Sequence, residues 1–152
     1  MEYRILPHGG EKISVIGLGS GSLAGAEKEM TDIIDTAIQN GINYFDIAPS
    51  EQAPFFAYAK AFDGRREQII TQMHFGAVYH SGKYGWTRNL DEIKNQFAWQ
   101  CKLLNTDYTD IGYIHCVDDA AYDKGIPFRP KRIKQTFYFR INLKMGRGLC
   151  MV

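Results

Sequence analysis

The sequence has few cysteines and no long apolar run, and both shortages limit what the protein can be. Its 152 residues include three cysteines, Cys101, Cys116 and Cys150, which are far apart and odd in number. No two of them have the spacing of a zinc or redox motif, so we expect reduced thiols and a cytoplasmic protein. No stretch of about 18 apolar residues occurs, and the first four residues are mostly polar, so we expect neither a membrane span nor a signal peptide.

Acidic residues are absent from the last part of the chain. All 17 acidic residues lie at or before Asp123, whereas eight of the 18 Lys and Arg residues follow it. The first 123 residues therefore carry a net charge of 10 − 17 = −7, and the last 29 carry +8. We divide the chain accordingly into a globular domain, residues 1–123, and a basic, divergent tail, residues 124–152.

The basic tail has two interpretations. Three basic residues within 131–134, followed by three aromatic residues at 137–139, are typical of a surface that binds polyanions weakly and in a salt-dependent way. A change of composition at a single point is instead what a reading-frame change or a chimeric end produces, and we prefer that interpretation. We expect no specific nucleic acid and no membrane as partner. Residues 135–141 could form a strand.

The globular domain is apolar enough for a core and alternates between strand and helix patterns. Hydrophobic residues make up 45% of the chain, which excludes intrinsic disorder. Two short β-rich runs (3–6 and 12–16) suit a hairpin. Four strands are predicted at 15–19, 42–46, 68–73 and 111–115, and three helices at 27–40, 54–62 and 89–104. This alternation requires parallel strands with crossover helices, as an open doubly wound sheet or a closed barrel.

A glycine-rich loop, Gly17-Leu18-Gly19-Ser20-Gly21-Ser22, follows the first of these strands. A loop of this kind before a helix can hold the pyrophosphate of a dinucleotide with its backbone N–H groups, and Gly19 and Ser20 are the candidate contacts. Ser22 stands where the third glycine of that motif belongs. We therefore prefer the interpretation as a strand-to-helix turn and keep a small nucleotide-binding α/β domain as an alternative.

Polar residues stand at the predicted ends of three parallel strands. Asp46, Gln72 and His115 belong to different strands, and the carboxyl ends of parallel strands share one face, where α/β barrels place their chemistry. Asp46, Glu51 and His115 could also form a two-carboxylate, one-histidine metal site. Because a second histidine and a known spacing are missing, we expect no metal.

Several segments resemble the aldo-keto reductase family. Residues 41–49, Gly-Ile-Asn-Tyr-Phe-Asp-Ile-Ala-Pro, resemble the signature around its active-site aspartate, and Tyr113-Ile114-His115 resembles the strand that presents its active-site histidine. Residues 14–19 resemble the entry to its barrel, and residues 99–110 the helix that leads to the histidine strand. The resemblance extends from about Tyr3 to about Asp119. It implies the N-terminal half of a (β/α)8 TIM-type barrel.

The resemblance also implies an activity and a set of site residues. The family reduces carbonyl groups with NAD(P)H by means of an aspartate, a tyrosine, a lysine and a histidine. Asp46 and His115 match two of them, whereas Glu51 stands at the tyrosine position and Gln72 at the lysine position. The residues that differ are the proton donor and the cation that tunes it. We therefore expect an oxidoreductase for a small carbonyl or alcohol substrate, truncated and catalytically impaired on its own.

Glu51 could replace the missing tyrosine. A carboxyl group beside a second carboxylate, here that of Asp46, can keep a proton near neutral pH and donate it. Alternatively Glu51 caps the following helix or lies in solvent.

The long loop from Ala77 to Arg88 is rich in aromatic residues and lies on the expected catalytic face. Loops of this length often contact substrate, and the candidate wall residues are Tyr79, His80, Tyr84 and Trp86. The alternative is a packed loop that covers the end of the barrel.

A half-barrel lacks parts that the whole family fold has. The resemblance places most of the NAD(P)H contacts in later strands, so cofactor binding by this chain is in doubt, and no cysteine cluster is present for an iron–sulfur centre. Half a barrel also leaves edge strands open, which suggests a non-catalytic interaction protein that associates with itself through the open edge.

Overall fold

The computed structural model describes residues 1–7 and 10–114, together with the backbone of residues 137–142. A hairpin comes first, formed by β1 (Tyr3–Ile5) and β2 (Lys12–Ser14). The repeating part follows: β3 (Leu18–Gly19), α1 (Glu27–Gln39), β4 (Tyr44–Ile47), α2 (Ala53–Phe62) and β5 (Ile70–Phe75). A small hairpin of β6 (Ala77–Val78) and β7 (Gly85–Trp86) leads to α3 (Leu90–Leu103) and β8 (Tyr108–Ile114). The last described strand is β9 (Phe137–Asn142).

The main sheet has the strand order β3-β4-β5-β8-β9. The first four strands run parallel and are joined by crossover helices, whereas β9 runs antiparallel to β8. Sequential parallel strands with a helix between each pair are the opening half of a (β/α) barrel, as the sequence predicted. None of the helices in these described ranges is long and apolar enough to span a membrane.

Strand alternation gives the sheet one apolar and one polar face. Phe45 and Ile47 of β4 and Met73 of β5 are at most 1% exposed and belong to the core between the sheet and the helices. The ring of Phe45 packs edge-on against Phe62, with the ring centroids 5.1 Å apart. The alternate residues of the same strands, among them Asp46, Gln72 and His74, point to the opposite face, which a complete barrel would enclose. We call this the inner face of the sheet.

A polar network joins β5 to β8 near the amino-terminal ends of the strands. Arg66 donates to Thr71 Oγ1 at 2.9 Å and to Asp110 Oδ2 at 3.0 Å, and its guanidinium lies 4.0 Å from the ring centroid of Tyr108. Asp110 Oδ2 also accepts from the backbone N–H of Thr71 at 2.9 Å. Because this carboxylate pairs with both a side chain and a strand amide, it fixes the two strands relative to each other.

The bounds of several predicted strands need correction: the strand predicted at 15–19 is confined to Leu18–Gly19, and the strand predicted at 111–115 begins at Tyr108. The strand predicted at 68–73 lies at Ile70–Phe75, because the preceding residues Arg66–Gln68 form a turn of 3-10 helix. The edge of β8 is not open, since β9 pairs with it from Tyr108 to Gly112. The strand predicted at 135–141 is confirmed as β9, and the helices predicted at 27–40 and 54–62 are confirmed to within one residue at either end.

Candidate active site

The centre of the candidate site is a contact between Asp46 and His74. His74 Nε2 lies 2.8 Å from Asp46 Oδ1, a hydrogen-bond distance between an imidazole and a carboxylate. The side chain of His74 is 18% exposed and that of Asp46 is 39% exposed. The pair is thus partly shielded from water, with the carboxylate on the more accessible side.

Strand register explains why these two residues meet. In the parallel pair of β4 and β5, Asp46 lies opposite Gln72, so His74 is two residues further along and on the same face. In the next pair His74 lies opposite Tyr113, and the two rings stack at 5.5 Å with an angle of 22° between their planes. Both members of the acid–base pair are therefore near the carboxyl ends of strands, as the sequence predicted for Asp46.

Gln72 does not occupy the strand end that the sequence assigned to it. β5 continues to Phe75, so Gln72 lies in mid-strand, where it accepts a hydrogen bond from the Tyr44 hydroxyl. The residue of β5 that contacts Asp46 is His74. Gln72, at the position where the family's lysine was expected, thus carries no charge, and the imidazole against the aspartate comes from His74, two residues further along β5.

The main chain of Asp46 is held by Ser20. The Ser20 hydroxyl donates to the Asp46 carbonyl oxygen at 2.9 Å and accepts from the Ala48 N–H at 2.7 Å, and the Ser20 N–H donates to the same carbonyl at 3.0 Å. Ser20 is 1% exposed. It therefore positions the end of β4, and a direct cofactor contact by its hydroxyl stays a prediction.

The glycine loop does not lead directly into a helix. β3 ends at Gly19 and α1 begins at Glu27, so residues 20–26 separate them. The first turn of α1 contains the carboxylates of Glu27 and Glu29, and Glu29 accepts from the Ala26 N–H at 3.3 Å. This negative charge opposes a bound pyrophosphate at the helix start. The geometry favours the strand-to-helix turn over the nucleotide-binding alternative.

Glu51 lies in a segment that pairs with the long loop. It forms an antiparallel bridge with Lys83, flanked by bonds from Tyr84 N–H to the Ser50 carbonyl and from Gln52 N–H to the Gly82 carbonyl. No hydrogen bond or ion pair joins its carboxylate to Asp46 or His74 within the described ranges. The structure therefore does not bring Glu51 into the pair, and its role as a proton donor stays a prediction. His115 lies outside the described residues.

The four predicted wall residues are in different environments. Tyr79 is a core residue, 4% exposed and stacked on Trp99 with the ring centroids 5.7 Å apart, so the structure does not place it on the wall. Its backbone N–H donates to Gln96 Oε1, which turns the side chain inward. His80, Tyr84 and Trp86 are exposed, and His80 Nε2 lies 2.7 Å from Glu92 Oε1.

Two buried phenols lie close enough to Asp46 to respond to its charge. Burial, and to a smaller extent the Asp46 carboxylate, raises the pKa of Tyr58 well above its usual range. Burial, and then Tyr84 and Asp46, has the same effect on the pKa of Tyr79. Neither hydroxyl has a hydrogen-bond partner among the described residues. Both phenols therefore remain protonated and neutral at every physiological pH.

A cavity of about 460 Å³ opens on the inner face at the amino-terminal side of the site. The N-terminal hairpin forms one wall, and the inner-face residues Tyr44, Gln72, Ile111 and Tyr113 form the other. Asp46 and His74 do not line it. The cavity corresponds to the space that the interior of a complete barrel would fill, and the acid–base pair lies beyond it at the carboxyl ends of the strands.

Sequence reasoning missed His74 as a site residue. The signal was present, because His74 is the last polar residue before Phe75 and Gly76 and has the same parity along the strand as Gln72. Placing the strand two residues too early moved its expected end from His74 to Gln72.

These observations define a class of protein: an α/β half-barrel that presents an acid–base pair at the carboxyl ends of parallel strands. Residues 15–140 match the Aldo/keto reductase family. The chain therefore belongs to the aldo/keto reductase family of oxidoreductases.

Named relatives agree with this assignment. The chain is 32% identical over 111 residues to an uncharacterized oxidoreductase, YqkF, of Bacillus subtilis (strain 168), covering 68% of this chain and 35% of that protein. It is 27% identical over 128 residues to the aldo-keto reductase YhdN of the same organism, covering 78% of this chain and 39% of that protein. The solved structure of the aldo-keto reductase AKR11C1 from Bacillus halodurans, in its holo form, superposes with a TM-score of 0.66 at 28% identity, covering 74% of this chain and 39% of that one.

The chain thus spans less than two-fifths of the length of these relatives. The family match extends to residue 140, beyond Asp119, where the resemblance in the sequence ends. The division of the chain after Asp123 stays a prediction.

Proposed function

We propose that this chain supplies the proton-transfer part of an NAD(P)H-dependent site that interconverts a small carbonyl compound and its alcohol. The observation that carries the proposal is the contact between Asp46 and His74 at the carboxyl ends of adjacent barrel strands. A carboxylate–imidazole pair can hold a proton and release it, which is what carbonyl reduction requires beside the hydride donor.

The described residues fit the reacting end of a nicotinamide better than its phosphates. Gly19 lies opposite Asp46 in the sheet, and a Cβ added to it would have no atom within 4 Å, so space is open beside the carboxylate. The acidic first turn of α1 is a poor site for a pyrophosphate. A bound NAD(P)H would supply the hydride for the carbonyl carbon. Its phosphates would need residues beyond those described.

The roles of the chain's own residues follow from their contacts. Ser20 fixes the main chain of Asp46, and His74 holds its carboxylate at Oδ1. His80, Tyr84 and Trp86 are exposed residues of the described loop that a substrate can reach. With Gln72 in mid-strand and Glu51 outside the pair, the usual tyrosine–lysine couple has no counterpart among the described residues. We therefore propose low turnover by the 152 residues alone.

The buried free thiol of Cys101 supports a reducing, cytoplasmic location.

A chimera tests this function. Residues 15–114 of this chain replace the matching part of YhdN, and the product is assayed for deuterium transfer from deuterated NADPH to small aldehydes. We expect transfer by the chimera, little by the chain alone, and a loss of about a hundredfold or more in Asp46→Asn.

Two results would contradict the proposal. One is a folded chimera that binds NADPH and transfers no deuterium. The other is transfer that Asp46→Asn leaves unchanged in a chimera of unaltered circular dichroism. Equal rates for the chain alone and the chimera would instead refute the low turnover of the isolated chain.

A further inference from the structure

We infer that His74 is the positioning residue of this site: it shares a proton with Asp46 and replaces a lysine as the cation beside the carboxylate. The inference rests on the proposed function and names the group through which its proton moves. No sequence motif indicates this role for His74.

The backbone of the sheet fixes His74 against Asp46. The 2.8 Å separation of His74 Nε2 and Asp46 Oδ1 leaves room for one proton between the two atoms and for nothing else. The pairing of β4 with β5 and of β5 with β8 fixes both backbones, and Tyr113 stacks on the imidazole from the neighbouring strand. The ring therefore presents Nε2 to the carboxylate through constraints from three strands.

His74 can supply a positive charge beside Asp46. Among the described residues, His74 is the only group that pairs with Asp46 and can carry a positive charge. The other inner-face neighbours, Tyr44, Gln72 and Tyr113, are neutral side chains. An imidazole in this position can alternate between a cation and a neutral ring, whereas a lysine would remain a cation over the physiological pH range.

Asp46 is more accessible to a substrate than His74. The carboxyl group of Asp46 is the more exposed member of the pair, and only its Oδ1 is engaged by a described residue. A substrate oxygen can therefore approach Asp46, while His74 remains behind it with 18% of its side chain exposed. This arrangement makes His74 act through Asp46 and not on the substrate directly.

The Asp46–His74 pair gives one proton to the carbonyl oxygen. The step starts from a pair that holds one proton between Asp46 Oδ1 and His74 Nε2. A bound reduced nicotinamide would supply hydride, two electrons and one hydrogen, to the carbonyl carbon, and the C=O π electrons would move to oxygen. The oxygen takes the shared proton through the Asp46 carboxyl, which leaves an alcohol, oxidised nicotinamide, a carboxylate and a neutral imidazole.

Nitrogen NMR on the full 152-residue chain tests the pair without any activity. The ring nitrogens of neutral His74 report which of them carries the proton, and His74→Gln identifies the signals by their loss. We expect the proton on Nε2 at alkaline pH, because Asp46 accepts from it, and a mixture of both tautomers in Asp46→Ala. An unprotonated Nε2 in the parent chain, or spectra that Asp46→Ala leaves unchanged, would overturn the inference.

Rescue in the YhdN chimera tests the function of the pair. We expect His74→Gln to lower kcat by about a hundredfold. His74→Lys is expected to restore most of the loss, and His74→Leu to restore none, because leucine can neither carry a charge nor share a proton. Unchanged activity in His74→Gln, or equal activities of His74→Lys and His74→Leu, would refute the role of His74. If the parent chimera is inactive while the NMR result holds, the proposed function fails and the proton-sharing pair stands.

Discussion

Single hydroxyl groups in this chain differ sharply in what they contribute. The Tyr3 hydroxyl donates to the Gly41 carbonyl at 2.8 Å and ties the N-terminal hairpin to the start of β4. The Tyr58 hydroxyl is buried with no described partner. A hydrogen bond typically contributes about 1 kcal/mol to stability, whereas an unsatisfied buried hydroxyl costs about 1–3 kcal/mol.

Removing these two hydroxyls should therefore have different results. We expect Tyr3→Phe to lower the free energy of unfolding by about 1 kcal/mol and Tyr58→Phe to leave it unchanged or raise it. Urea denaturation of the two variants beside the parent chain measures both. A loss in Tyr58→Phe as large as that in Tyr3→Phe would show that the buried hydroxyl has a partner.

Two glycines of the glycine-rich loop make a matched pair. A Cβ on Gly17 would lie 2.4 Å from Cδ1 of Tyr44, whereas a Cβ on Gly19 would meet no atom within 4 Å. Because the Tyr44 hydroxyl donates to Gln72 Oε1, Gly17→Ala must displace the ring that carries this hydrogen bond. We expect Gly17→Ala to cost about 1–3 kcal/mol and Gly19→Ala clearly less, by urea denaturation. Equal costs would refute this account of the loop.

The residues of the site were predictable to different degrees. Asp46 could be found, because it lies within a recognisable motif next to a strand end. His74 could not be assigned, because its role depends on where β5 ends and on the register with β4, which no local pattern fixes. Tyr79 resembles a loop residue in the sequence, but its ring finds apolar partners on two helices that are distant along the chain.

Between elements, Asp110 links β8 to β5. Its Oδ2 accepts from the Thr71 N–H and from Arg66, and both ion-pair side chains are less than a quarter exposed. We expect Asp110→Asn to lower the free energy of unfolding by about 2 kcal/mol, because it removes a charged acceptor from a strand amide and a guanidinium. Asp32→Asn is the control, since Asp32 pairs with Lys28 on the surface and should cost well under 1 kcal/mol. Equal losses in urea denaturation would contradict this ranking.

The attachment of the long loop to α3 should depend on pH. Hydrogen bonds from Thr87 and His80 lower the pKa of Glu92 below its ordinary value of 4.5. A carboxyl group with a lowered folded pKa stabilises the fold above its ordinary pKa, and the contribution is lost as the pH falls through the lowered value. We expect the protection factors of the amides in residues 80–88 to fall selectively when the pH falls below about 4.5, and not in Glu92→Gln. A pH response that persists in Glu92→Gln would refute this cause.

Secondary structure was largely predictable because the periodicities are strong. The apolar spacing in α1 and the alternation in β4 are local signals, and both elements lie where they were expected. The start of β5 was misplaced because residues 66–68 are taken up by a 3-10 turn. There Arg66 donates to Asp110, and a contact with a residue 44 positions away is not visible in a local pattern.

At the scale of the whole molecule, the family fold was predictable from ordered motifs and the sheet edge was not. The sequence predicts parallel strands, and all four strands from β3 to β8 in the main sheet are parallel. The antiparallel β9 follows from pairing between distant segments, Tyr108–Gly112 and Phe137–Asn142. Self-association through an edge of the sheet stays a prediction, and β8 is not the edge that would serve it.

The most direct test of the central claim is a double-mutant cycle on the full chain, measured by urea unfolding. Asp46→Asn and His74→Gln are combined in one cycle, and Asp46→Asn and Gln72→Leu in a second. The account predicts a coupling energy of about 1 kcal/mol in the first cycle, where a hydrogen bond joins the two side chains, and a clearly smaller one in the second. Coupling of Asp46 to Gln72 and not to His74 would contradict it.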